Sequence, residues 1–140
     1  VGIQYFNQDI SFVLPQKRVI SRWIKQVSAE EERKIGNVCF IFCDDNYLLN
    51  INKEYLKHDF YTDVITFDDS ENNIISGDIF ISIDTVKENA TLYSKDFLDE
   101  MHRVLVHGVL HLCGYHDKSD VEERHMRFLE DKYLAFLENK

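Results

Sequence analysis

Six consecutive residues, Val38-Cys39-Phe40-Ile41-Phe42-Cys43, are apolar with no polar interruption. A β-favouring run of that length reads as a strand covered on both faces, because a half-exposed strand would alternate. Such a strand obliges the rest of the chain to supply cover, and its neighbours have the patterns to do so. Ile20, Trp23, Ile24 and Val27 recur at i, i+3, i+4 and i+7, which predicts an amphipathic helix over residues 15–29 with Pro15 in its first turn. On the other side, Asp44 and Asp45 can cap a helix running to about Tyr55, with Leu48, Ile51 and Tyr55 on its apolar side.

Residues 2–6 are expected to form a short strand. Val64–Phe67 and Asp78–Ile83 read as two more, flanking the polar stretch Asp68–Gly77 as a long hairpin. Asp84 can cap a short helix to about Tyr93, and a longer helix from about Lys95 to Cys113 stops at Gly114. Ser119-Asp120-Val121-Glu122 has the S-x-x-E capping-box form and opens a final helix, with Val121, Phe128, Leu129, Phe136 and Leu137 as its expected buried stripe. The order β, α, β, α, β, β, α, α, α predicts an α+β fold. It would be a small mixed four-stranded sheet packed with about five helices, in one domain over residues 1–140.

With 140 residues the chain can bury a core without disulfides. Its cysteines, Cys39, Cys43 and Cys113, contain no CxxC pair and are expected as reduced thiols packed as small hydrophobes. No apolar run is long enough to span a membrane, and Val1–Phe6 has no basic region of the signal-peptide kind, so a cytoplasmic location is expected. A net charge of −9 argues against a nonspecific nucleic-acid binder. Lys17, Arg18, Arg22 and Lys25 are the local exception, and they read first as the solvated face of the first helix.

Chemistry concentrates in His107-Gly108-Val109-Leu110-His111-Leu112-Cys113-Gly114-Tyr115-His116-Asp117. Two histidines four apart on a helix project from one face, which suits two nitrogens converging on one divalent ion. Gly114 can end the helix at positive φ and turn the chain back, so that a residue three further on reaches the same ion. Asp117 and His116 compete for that third place, and the offset favours Asp117; His116 is then a proton shuttle, a support for the site or an exposed side chain. Cys113 faces away. His102 and His125 have no comparable context. Arg103, one turn before His107, can reach an anionic substrate or form a structural salt bridge.

The segment H-G-x-L-H-L-x-G-Y formed by His107 through Tyr115 resembles the signature of the YbeY family of metal-dependent endoribonucleases. Leu49-Asn50 with Tyr55, Asp59 and Thr62–Phe67 is similar to a second family segment, and Gly77–Ser82 to its G-D-I-x-I-S strand. The resemblance covers most of the chain. It implies a small α+β fold, one divalent metal ion, zinc, and cleavage of single-stranded RNA. The implied role is 3′-end maturation of small-subunit ribosomal RNA and ribosome quality control, with RNA and the ribosome as partners and neither DNA nor membrane. It also gives the basic face of the first helix a second reading, as a contact for RNA or the ribosome.

Three places depart from the family pattern. The signature usually ends G-Y-D-H with histidine as third ligand, whereas Tyr115-His116-Asp117 puts Asp117 in that place. The arginine expected after the tyrosine, to bind phosphate, is Leu56, with Lys57, His58 or Arg103 as possible substitutes; the usual proline before T-D is Tyr61. The expected site is therefore His107, His111 and Asp117 for metal, with Arg103, His116 and His58 contributing to catalysis. Two rivals remain. A zinc protease shares the histidine spacing, but Gly108 stands where such enzymes carry a glutamate base. A non-catalytic, metal-stabilised adaptor on the ribosome fits Leu56 and the acidic charge.

Overall fold

In the computed structural model, which describes residues 2–57 and 62–138, the apolar run falls in an inner strand. The elements are β1 (Gly2–Asn7), α1 (Lys17–Glu30), β2 (Lys34–Cys43), α2 (Asp45–Tyr55), β3 (Val64–Asp68), β4 (Ile74–Ser82), α3 (Ile83–Leu92), α4 (Phe97–Leu112) and α5 (Asp120–Glu138). The sheet order is β1-β2-β4-β3, with β1, β2 and β4 parallel and β3 antiparallel at the edge. Four strands and five helices among the described residues make an α+β fold with a mixed sheet.

β2 is covered less evenly than its sequence implies. Val38, Phe40 and Phe42 are buried under the main helical layer, packed with Ile79 and Ile81 of β4 and with Trp23, Val106 and Leu110 from the helices. Cys39 and Ile41, pointing the other way, are only partly buried. The second face is covered at one end alone, where Leu48 and Ile51 of α2 pack with Ile65 and Cys43. A continuous apolar run therefore does not mean equal burial on both faces here.

Five local expectations need correction. α1 begins at Lys17, after Gln16 in the left-handed region, so Pro15 precedes the helix instead of opening it. β4 begins at Ile74, because Glu71 and Ile74 bridge around Asn72-Asn73 and the hairpin is tighter than the polar stretch suggests. Ser82, not Asp84, caps α3, its hydroxyl accepting from the Thr85 N–H; Asp84 accepts instead from the Asp45 N–H at the start of α2. Tyr55 is exposed, and α2 buries Asn52 beside Leu48 and Ile51.

The last correction matters most. Val121 and Phe128 are 68% and 64% exposed, and the buried face of α5 is Met126, Leu129, Glu130 and Tyr133. Trp23 donates from Nε1 to the Tyr133 carbonyl at 2.7 Å, which locks α5 in that rotation against α1. A glutamate is thereby turned inward, towards α4.

Candidate metal centre

α4 carries Arg103, His107 and His111 at intervals of four, so the three share one face. The helix ends in a Schellman arrangement: the Tyr115 N–H reaches the Leu110 carbonyl at 3.1 Å and the Gly114 N–H reaches His111 at 3.0 Å. Gly114 has φ 99°, a conformation costly for residues with a Cβ. This reversal folds Asp117 back over the helix. Its Oδ2 lies 3.2 Å from Nε2 of His107 and 3.5 Å from Nε2 of His111, while the two Nε2 atoms are 2.9 Å apart.

That triangle fits a single ion. Ligand atoms about 2.0–2.1 Å from a tetrahedral zinc are about 3.3 Å from each other, close to the spacing seen here. The outer nitrogens supply a second test. His107 Nδ1 is 2.6 Å from Glu130 Oε2, and His111 Nδ1 is 2.9 Å from the Tyr115 carbonyl oxygen. Both partners accept, so each Nδ1 carries hydrogen and each ring turns its Nε2 towards the other ligands. Two ring nitrogens and a carboxylate oxygen thus converge on one point, a set that could hold a metal ion.

The electrostatics agree. Burial opposes protonation of His107, but the Asp117 and Glu130 carboxylates outweigh it and lift its pKa to about 9. Burial and the neighbouring His107 charge push His111 down, and hydrogen bonding to His107 holds Asp117 below the usual carboxylate range. One proton is thus shared among these groups, and a divalent ion binding there displaces it.

Glu130 is almost wholly buried, yet His107 is not its sole partner. Arg103 donates to its Oε1 at 2.8 Å and to Asp131 at 2.6 Å, and Arg127 lies 3.3 Å from the same Oε1. Clefts of about 190 and 290 Å³ open on either side of His107 and Asp117. Asp63 lines both, and burial pushes its carboxyl up. Leu56 and Thr62 line the α2 side, beside His107, His111 and Asp117.

The structure therefore brings His107, His111 and Asp117 together and sets Arg103 behind them, on Glu130. His116 is exposed and outside the cluster. Lys57 turns its Nζ back to the Glu54 carbonyl at 3.5 Å. His58, Asp59 and Tyr61 lie outside the described residues. The basic residues of α1 are exposed around a separate shallow depression. Sequence reasoning missed Glu130, and the signal was available: an acidic residue between Met126, Leu129 and Tyr133 on a helical stripe.

A model of the endoribonuclease YbeY family matches residues 4–138. The chain belongs to the YbeY family. Proteins named Endoribonuclease YbeY from Parabacteroides distasonis and Flavobacterium psychrophilum are 45% and 47% identical to it, over 98% and 96% of this chain and 96% of each relative. The YbeY relative from Bacteroides fragilis is 44% identical over 96% of this chain and 97% of its own. Among solved structures, the solution structure of TM1509 from Thermotoga maritima aligns with a TM-score of 0.68 at 24% identity, covering 96% of this chain and 88% of that one. That likeness establishes the fold.

Proposed function

We propose that this chain is a metal-dependent endoribonuclease, a phosphodiester hydrolase that cleaves single-stranded RNA. We further assign it to 3′-end maturation of small-subunit ribosomal RNA and ribosome quality control in the cytoplasm. One divalent ion, zinc, is held by His107, His111 and Asp117. The convergence of two Nε2 lone pairs and one carboxylate oxygen in a cleft, in a member of the YbeY family, carries this reading. Two nitrogens and one oxygen suit zinc and leave a coordination position for water or substrate.

When bound, the ion supplies a water of lowered pKa and a Lewis acid for a phosphoryl oxygen. The protein supplies orientation. Glu130 holds the hydrogen on Nδ1 of His107, and the Tyr115 carbonyl does the same for His111, so neither ring can turn its lone pair away. Asp63 lines the clefts on both sides of the ligands and accepts from Asn89 Nδ2 at 3.4 Å, and burial pushes its carboxyl up. The protease alternative meets a steric obstacle: a Cβ at Gly108 would lie 2.7 Å from Cγ2 of Ile79, so position 108 faces the sheet and not the cleft.

The test is incubation of precursor small-subunit ribosomal RNA, and separately of casein, with purified protein with and without chelator. RNA cleavage that chelator stops, with casein intact, is the expected result. Cleavage of neither, with ribosome association retained, would favour the adaptor.

A further inference from the structure

Binding the phosphates of an RNA strand needs cationic side chains besides the ion, and a chain of net charge −9 cannot draw RNA in by its overall field. The cation must be local. On the α2 side of the metal centre the described lining residues include Leu56, Thr62 and Ile65, none of them cationic. On the α4–α5 side the lining includes two arginines, Arg103 and Arg127, and they are not equivalent. Both donor arms of Arg103 are engaged, by Glu130 and by Asp131.

Arg127 is different. Its side chain is 60% exposed, and its ion pair is a 3.3 Å approach to the Oε1 atom that Arg103 holds at 2.8 Å. If Arg127 swings away, Glu130 keeps both Arg103 and His107, so no buried charge is left unpaired. Movement is therefore inexpensive for Arg127 and costly for Arg103. Arg127 also stands where two clefts share a wall. One contains His107 and Asp117; the other, about 570 Å³ between α3, α4 and α5, contains the exposed side chains of Tyr93 and Lys95. An exposed tyrosine offers a base a stacking surface, and a lysine beside it offers the next phosphate a charge.

We propose that Arg127 binds the RNA phosphate at the metal centre, and that the strand continues along the cleft past Tyr93 and Lys95. The proposal rests on the endoribonuclease reading. Arg103 is then a positioning residue, acting through Glu130 on His107. Asp63, Glu100, Glu123 and Asp131 also line these walls, so the phosphates must lie against the cations and away from these carboxylates.

The experiment uses zinc-loaded full chain and two probes. A 2′-O-methyl oligouridine reads binding by anisotropy, and the matching oligouridine reads single-turnover cleavage at saturation. Arg127→Ala should lower the cleavage rate by about 10²-fold and reduce the salt slope of binding by about 0.7, the value of one single-strand phosphate contact. Arg127→Lys should restore part of both, and Tyr93→Ala and Lys95→Ala should weaken binding. Lys132→Ala, on another face of α5, is the control. Metal content and melting temperature are measured on every variant. The proposal is overturned if Arg127→Ala keeps the wild-type rate and salt slope, or if its lost activity only tracks lost metal or lost folding. If wild-type protein neither binds nor cleaves the probes, it is the endoribonuclease reading that fails.

Discussion

At the residue scale the centre depends on a few atoms whose partners are all specified. His107 is held from behind by Glu130 and faces His111 and Asp117 in front, so its removal takes the partner from Glu130 Oε2 as well as leaving an incomplete ligand set. Alanine at His107 or His111 should abolish stoichiometric divalent metal in purified protein. Asp117→His should retain it, and Glu130→Gln should weaken it by about 10- to 100-fold without abolishing it. Elemental analysis and chelator competition read all four, and unchanged metal in both histidine variants would place the ion elsewhere. Leu56 is a second test point, because it lines the same cleft from the opposite wall. Leu56→Arg should tighten binding of single-stranded RNA and steepen its salt slope by about 0.7, measured by anisotropy across a salt series.

At the scale of elements, α4 places the ligands and the sheet places α4. Gly108 lets the helix approach β4 closely: an added Cβ would meet Cγ2 of Ile79 at 2.7 Å and Cδ1 at 3.1 Å, and Ile79 is fully buried. Overpacking of this kind costs about 1–3 kcal/mol, and the better helix propensity of alanine returns about 1 kcal/mol. Gly108→Ala should therefore lower stability by about 1 kcal/mol net. Because the helix must lift at the turn carrying His107, metal affinity should fall with it. Chemical denaturation and chelator competition on the same variant separate the two effects. α5 contributes differently, through a satisfied start: the Glu122 N–H donates to Ser119 Oγ at 3.1 Å and the Ser119 N–H to Glu122 Oε1 at 3.0 Å. Its register, set by Trp23 and Tyr133, is what aims Glu130 at His107.

For the whole molecule, the helical layer that forms the core also buries ionisable groups away from the metal centre. His102 packs edge-on to Trp23, and burial lowers its pKa from 6.5, partly opposed by Asp99. The unfolded chain protonates this ring more readily than the folded one, so stability is lost as pH falls through 6.5. Thermal unfolding between about pH 7 and about pH 5.5 should show the melting temperature falling less in His102→Gln than in wild type. Equal slopes would mean that the ring is solvated. The buried thiols of Cys43 and Cys113, both pushed up to about 12 chiefly by burial, should resist alkylation until the protein unfolds.

Local rules in the chain were enough for the periodic elements and for the outline of the site. Ile20, Trp23, Ile24 and Val27 define α1 because a helix repeats every 3.6 residues, and all four are buried. The H-x3-H-x2-G-x2-D spacing brings His107, His111 and Asp117 together because a helical turn and a glycine reversal are short-range geometry. What lay beyond local rules was rotation and partner choice. Val121 and Phe128 are as apolar as Met126 and Leu129, and what turns α5 is the bond from Trp23 to Tyr133, more than a hundred residues apart in sequence. The contacts of Glu130 with Arg103, His107 and Arg127 follow from that rotation. A helix pattern names the residues that share a face, and only packing against distant parts of the chain chooses which face is turned inward.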